Sequence, residues 1–294
     1  MYTKTCSVGF ADERGLEWLL RISVAMTFIG HGAYGFVFKA GWLPLYKVLG
    51  IGPEAAHYLF PMTGLEDVTM GLLALFLPIR APFLFLAFWG IFTAILRPLA
   101  VDLAPKAQYS WYELWERAGN YIPAIVMVYL VGVSGKRGFI RGIFEKVSVP
   151  ALDAKKINTA FFLLRLATCL LLMGHAGYGA VMQKTMLMKH YASIGLGAPW
   201  VEPLILVTGI GYFEFVLAFI VLVWPKNSIL WFVVLWKVAT ELLYVPAGVP
   251  YDIFEWIERG GSYMAPLMMI CLNQMKASAH SVEHKARSGG EALA

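Results

Sequence analysis

Two halves of this chain resemble each other in sequence, and both consist mainly of apolar residues. Arg21 and the segment Ile29-Gly30-His31-Gly32 return 144 residues later as Arg165 and Met173-Gly174-His175-Ala176. Further matching pairs are Thr63 and Thr208, Glu66 and Glu214, Pro78 and Pro225, Trp89 and Trp236, and the Glu-x-x-Glu-Arg elements that begin at Glu113 and Glu255. Chance rarely gives such agreement in residue type and spacing. We infer that one unit was duplicated and that both copies fold in the same way.

The apolar content indicates a membrane protein. Apolar residues make up 59% of the sequence and charged residues 15%, and a soluble domain of 294 residues could not bury so much apolar surface. A helix needs about 20 apolar residues to cross a bilayer. The segments that approach this length are 16–38, 57–77, 81–101, 118–134, 158–182, 203–224, 228–247 and 261–275. The sequence therefore predicts an all-α polytopic membrane protein with two tandem four-helix transmembrane bundles.

The repeat divides the chain into four regions. They are a first four-span repeat (1–134), a basic linker (135–157), a second four-span repeat (158–275) and a polar C-terminal tail (276–294). Because four is even, both repeats enter the membrane in the same direction, which predicts a pseudo-two-fold axis along the membrane normal. Lys and Arg favour the tails and the linker, so both termini are expected on the cytoplasmic side of a bacterial or archaeal cytoplasmic membrane. The linker suits the surface of a lipid bilayer, and no nucleic acid is needed to explain its charge.

Ionisable residues inside the predicted spans are the candidates for function. Each costs about 2.5–3.5 kcal/mol near the bilayer centre and must be paired or face a cavity. The set is His31, Glu66, Asp67 and Arg97 in the first repeat, and His175, Glu214, Lys237 and Glu241 in the second. The predicted catalytic residues are His31, Glu66, His175 and Glu214. The predicted cofactor-binding residues, in the outer half of the bilayer, are His31, Arg97, His175, Lys237 and Glu241. Asp67 has no evident counterpart in the second repeat.

Three interpretations of His31 and His175 stay open. Each histidine can be a structural residue that bonds a glutamate between closely packed helices. Each can instead exchange a proton with a quinone head group, because imidazole titrates near neutrality. The pair can also ligate haem b, since the predicted symmetry sets both histidines at one depth. Glu66 and Glu214 are likewise either neutral buried carboxyls or members of a proton relay.

The other charged residues and the cysteines have structural explanations as well. Lys237 and Glu241 lie one helical turn apart and can form an internal ion pair that the first repeat lacks, which suggests that only one repeat binds a ligand. The Glu-x-x-Glu-Arg elements lie in aromatic-rich loops that predict short interfacial helices; a charged gate or a docking surface is the functional alternative. No metal site is predicted. Cys6, Cys169 and Cys271 lack the spacing of a metal site or of a disulfide framework.

The motifs together resemble the DoxX/DoxD-like membrane family. The features that carry the resemblance are Arg21, the Gly-His-Gly turn around His31, the Gly-x-Glu element that ends at Glu66, and the turn from Pro78 to Arg80. The resemblance covers both halves, so the chain is similar to a tandem version of that four-span bundle. It implies a membrane subunit of thiosulfate:quinone oxidoreductase or of another membrane redox complex. The site residues it implies are His31, Glu66, His175 and Glu214.

We therefore expect an integral membrane subunit of an electron-transfer complex, with a quinone-type site and a redox protein docked on the extracytoplasmic face. The sequence has no recognisable flavin, iron-sulfur or c-haem motif, so electrons would come from a partner or a diffusible cofactor. Two alternatives from other classes remain. A proton-coupled small-molecule transporter would use the same intramembrane carboxylates. A structural or assembly subunit would use the polar residues for helix packing alone.

Overall fold

The computed structural model describes residues 11–103, 109–136, 138–248 and 252–291, with the backbone alone for 279–291. These residues form helices, turns and loops, and they contain no β-strand. The helices are α1 (Glu13–Phe36), α2 (Leu43–Val48), α3 (Pro53–Phe76), α4 (Arg80–Leu99), α5 (Trp111–Glu116), α6 (Ala118–Val131), α7 (Phe139–Gly142), α8 (Ala154–Ala180), α9 (Thr185–Ala192), α10 (Pro203–Val223), α11 (Asn227–Leu242), α12 (Ile253–Glu258) and α13 (Gly260–Glu291). The all-α prediction is confirmed. We call α1 to α6 the N-terminal half and α8 to α13 the C-terminal half.

Each predicted span coincides with one of the longer helices. Of these, α3, α4, α8 and α10 are long and apolar enough to cross a membrane. Helices α6 and α11 are shorter, with 14 and 16 residues, whereas α1 and α13 are long enough but less apolar. The aromatic-rich loops also form the short helices that their sequence predicts, namely α2, α5, α9 and α12.

The core lies between α1, α6, α8 and α13. Leu20, Met127, Leu164 and Leu272, one from each of these helices, are fully buried in one hydrophobic cluster. The peripheral helices α3 and α10 instead present large apolar side chains outward, and Phe76 of α3 is 74% exposed. Exposed apolar surface on this scale is typical of a protein that contacts lipid. The distribution therefore agrees with an integral membrane protein whose outer helices face lipid.

A short charged helix of each half packs against the first long helix of the other half. Helix α12 of the C-terminal half packs on α1, where a Cβ atom at Gly30 would overlap the backbone of Glu258. Helix α5 of the N-terminal half packs on α8, where a Cβ atom at Gly174 would lie 2.5 Å from the backbone nitrogen of Glu116. Only glycine permits such close approach of two helices. Gly30 and Gly174 flank His31 and His175, so this packing brings charged residues of each half to the histidine of the other.

The linker is fixed against the ends of the first helices. Glu17 of α1 accepts hydrogen bonds from the hydroxyl of Ser148 at 2.9 Å and the backbone nitrogen of Val149 at 3.0 Å. Arg80 donates to the carbonyl of Gly132 at 2.8 Å. Arg21 donates to the carbonyl of Ala74 at 3.1 Å and so satisfies an unpaired group at the end of α3. Arg21 thus has the structural role that its position near a span end indicates.

Candidate functional site

His31 is paired with a carboxylate from the neighbouring helix. The close crossing of α1 and α3, where Gly32 meets the backbone of Gly64, brings His31 Nδ1 to 2.7 Å from Oδ2 of Asp67. Asp67 is 1% exposed. The imidazole also stacks on the indole of Trp42, with 4.4 Å between the ring centroids. The carboxylate and the indole together fix the orientation of the imidazole ring.

A cavity opens beside this pair in the N-terminal half. Its volume is about 220 Å³, and it lies between α2, α3 and α4. The lining is apolar except for a few polar groups, among them the imidazole of His31 and the guanidinium of Arg97. The aromatic lining residues are Trp42, Tyr46, Trp89 and Phe92. An apolar cavity with a few polar groups is the usual form of a small-molecule site.

The structure corrects the position of Glu66. This residue lies on the exposed face of α3 and not in the cavity, whereas its neighbour Asp67 is buried against His31. Glu66 therefore does not line this cavity, and its predicted catalytic role stays a prediction. The missed signal is the spacing from glycine: Asp67 follows Gly64 by three residues, as Glu214 follows Gly211. Both glycines pack at the contact of their helix with the histidine helix, so Asp67 is the counterpart of Glu214.

The equivalent region of the C-terminal half contains a cluster of paired charges. His175 Nε2 lies 3.0 Å from Oε1 of Glu241. The ammonium of Lys237 lies 2.9 Å from the same carboxylate and 3.7 Å from Glu214. The indole nitrogen of Trp236 donates to Glu214 at 2.9 Å. The predicted pair of Lys237 and Glu241 is thus confirmed, and all its charges are compensated locally.

Two substitutions distinguish α4 of the N-terminal half from α11 of the C-terminal half. Gly90 follows Trp89, and Lys237 follows Trp236; Ala94 and Glu241 occupy the next equivalent positions, one turn further on. The cavity near His175 has a volume of about 20 Å³, which is enough for about one water molecule. It is much smaller than the cavity of about 220 Å³ at His31, and Glu241 is one of the residues that line it.

Buried ion pairs connect the two halves through α5 and α12. Glu113 lies 2.5 Å from the ammonium of Lys184 and 3.4 Å from the guanidinium of Arg97. Arg259 lies 3.0 Å from Glu116. Two further pairs cross between the halves, Arg117 with Glu258 and Lys39 with Glu255. All six charged residues of the two Glu-x-x-Glu-Arg elements are buried, so these elements bind the halves together and do not form an exposed docking surface.

Electrostatics keep these carboxylates ionised. Burial by itself raises the pKa of Glu113, but the cations of Lys184 and Arg97 outweigh this effect and hold the pKa below its usual range. Burial acts on Glu116 in the same direction, and Arg259 together with His175 lowers its pKa well below the usual value. A buried carboxylate that loses such a cation would be left uncompensated.

The remaining predicted ligands are distributed as follows. His31 and His175 line separate cavities, each with its own carboxylate partner. Among the described residues, no group of three or more His, Cys, Asp or Glu side chains could hold a metal ion. Cys169 and Cys271 are buried, as expected of small core residues, and Cys6 lies outside the described residues.

The fold and the site define a class of protein. Four helices are long and apolar enough to cross a membrane, and large apolar side chains cover the outer helices; the chain is an all-helical integral membrane protein. Comparison with protein-family models, curated proteins and solved structures finds no match for it. The likeness to the DoxX/DoxD-like family therefore depends on the sequence motifs alone.

Proposed function

We propose that the protein is the membrane subunit of an electron-transfer complex and binds a quinone in the cavity of its N-terminal half. The observation that carries this proposal is the apolar cavity of about 220 Å³ with His31 in its wall and Asp67 paired to that histidine. Aromatic rings provide flat apolar surfaces for a quinone ring. Arg97 provides a positive charge at the same cavity.

The pair of His31 and Asp67 suits proton exchange with such a ligand. A carboxylate at Nδ1 holds the imidazole in the tautomer that protonates Nδ1. Nε2 is then the nitrogen that takes a proton from a hydroquinone hydroxyl or returns one to a quinone. The two electrons would pass to or from a redox protein on the extracytoplasmic side. Asp67 replaces Glu66 as the partner of His31 in this proposal.

The C-terminal half has a structural role in this proposal. Lys237 and Glu241 are paired with protein groups, and the Lys237 ammonium lies within 3.7 Å of both Glu214 and Glu241. His175 accordingly pairs with protein groups and not with a ligand. Haem ligation by His31 and His175 is less favoured than quinone binding, because each histidine has its own carboxylate partner in a separate cavity.

We further propose eight membrane spans, four in each half, with both termini on the cytoplasmic side and a pseudo-two-fold axis along the membrane normal. The reciprocal contacts support this arrangement. Gly30 meets Glu258 of the other half, and Gly174 meets Glu116 of the other half. Gly119 and Gly261, which precede equivalent spans, meet each other, as residues near a two-fold axis do.

Equilibrium binding tests the quinone proposal. Decylubiquinone titrated calorimetrically into the purified chain in dodecyl maltoside is expected to bind at one molecule per chain. Leu59→Trp places a large ring in the cavity wall and is expected to weaken binding by about tenfold or more, a loss of about 1.4 kcal/mol. Leu206→Trp is the matched control, because Leu206 precedes Gly211 as Leu59 precedes Gly64. It should leave the affinity unchanged.

Two results contradict the proposal. One is the absence of saturable decylubiquinone binding by the wild-type chain, and the other is an equal loss of affinity in Leu59→Trp and Leu206→Trp. Purification from native membranes in mild detergent tests the redox partner. Recovery with a redox protein in fixed stoichiometry supports the electron-transfer complex. Recovery of the chain alone, together with no quinone binding, would instead favour a transporter that couples flux to the intramembrane carboxylates.

A further inference from the structure

The two equivalent tryptophans of the fold differ in their hydrogen bonding. In the C-terminal half, Trp236 Nε1 donates to Glu214 Oε1 at 2.9 Å. In the N-terminal half, Trp89 Nε1 is buried and has no acceptor within the described part of the chain. A buried N–H without a partner costs about 1–3 kcal/mol. Such a buried donor requires an acceptor from outside the described residues, which a water molecule or a bound ligand can supply.

The length of one side chain explains the difference. Asp67 is one methylene shorter than Glu214, and its Oδ2 is engaged by His31 at 2.7 Å. The second oxygen, Oδ1, is buried and makes no hydrogen bond, so the carboxylate does not reach the indole. Trp89 lines the same cavity as His31 and Thr93. The short acid therefore leaves the indole N–H without an acceptor among the described residues.

We propose that the Trp89 indole N–H is the hydrogen-bond donor that selects a carbonyl-bearing ligand, and that Asp67 determines this selectivity by being too short to accept from it. This inference rests on the proposed function and specifies the ligand chemistry of that site. Because an indole nitrogen only donates, the recognised atom must be an acceptor. A quinone carbonyl meets this requirement, whereas a ring of the same size without oxygen acceptors does not.

Replacement of the indole tests the donor. Trp89→Phe is expected to weaken decylubiquinone binding about fivefold, as expected for one hydrogen bond to a neutral acceptor. A second variant carries β-(3-benzothienyl)alanine at position 89, which keeps the ring shape and removes only the N–H, and it should show a similar loss. Binding of decylbenzene, which has no acceptor, should be equal in this variant and the wild type. Trp236→Phe is the matched control and should bind decylubiquinone as the wild type does.

Lengthening the acid tests the selectivity. Asp67→Glu is expected to lower decylubiquinone affinity, because the longer carboxylate accepts from the indole as Glu214 does. Glu214→Asp, the reciprocal change, should leave it unchanged. Unchanged affinity in the benzothienyl variant would overturn the inference. If the wild-type chain binds no decylubiquinone, the proposed function fails. If the wild-type chain binds decylubiquinone and the variants at position 89 bind it with the same affinity, the inference alone fails.

Discussion

Removal of the Arg259 side-chain charge should strongly destabilise the protein. Arg259 is 6% exposed, and its Nε lies 3.0 Å from Glu116 and 3.3 Å from Glu241; it also pairs with Glu255. Loss of one partner from a buried ion pair costs about 3–5 kcal/mol, because the remaining charge is left without compensation. Arg259→Gln leaves three carboxylates short of a cation, so we expect a loss of at least about 3 kcal/mol. At about 2–3 °C per kcal/mol, the melting temperature should fall by about 6–15 °C.

Thermal unfolding in detergent measures this loss. A thiol-reactive dye reports unfolding when Cys169 and Cys271, both buried, become accessible. The Cys6→Ser background removes the third thiol. Arg14→Gln is the control, since Arg14 is exposed, and a change at such a position is usually within about 0.5 kcal/mol.

A double variant tests the electrostatic cause. Arg259→Gln with Glu116→Gln removes the carboxylate that lies 3.0 Å from Arg259 Nε, and part of the lost stability should return. If the Arg259→Gln variant has the same melting temperature as the Arg14→Gln control, the buried ion pairs do not hold the halves together. If the double variant is less stable than the single one by the full cost of another pair, uncompensated charge is not the cause of the loss.

Two further predictions concern packing and pH. Gly30→Ala should destabilise the protein by about 1–3 kcal/mol, because its Cβ overlaps the Glu258 backbone, while Gly209→Ala, in open space, should be neutral or stabilising by up to about 1 kcal/mol; equal melting temperatures for both variants would contradict the close packing. Burial, together with the nearby Arg259 cation, lowers the pKa of His190 from 6.5 to about 4. Between these pH values His190 therefore binds a proton in the unfolded chain but not in the folded chain. Stability should fall as pH falls from 6.5 to 4, by up to about 3 kcal/mol, and His190→Phe should show a smaller fall than the wild type in melts across this range, whereas equal slopes would refute the assignment.

The apolar periodicity and the polar residues between the spans were sufficient to predict much of the fold. The helical segments, the short helices in the aromatic loops and the pair of Lys237 and Glu241 all depend on local spacing, which the sequence contains directly. His31, His175 and Arg97 were also found from sequence, because an ionisable side chain inside an apolar segment has few explanations other than a partner or a cavity.

Tertiary structure decided which carboxylate pairs with His31 and which of the two histidines lines the larger cavity. Glu66 and Asp67 are neighbours in sequence but point about 100° apart on a helix, and the crossing of Gly32 with Gly64 decides which of them faces inward. The exchange of α5 and α12 between the halves likewise depends on long-range contacts, so sequence spacing could not show that their charges are buried. The sequence determines which residues a helix carries, whereas the helix crossings determine which of its faces is buried, and therefore which residues can act together.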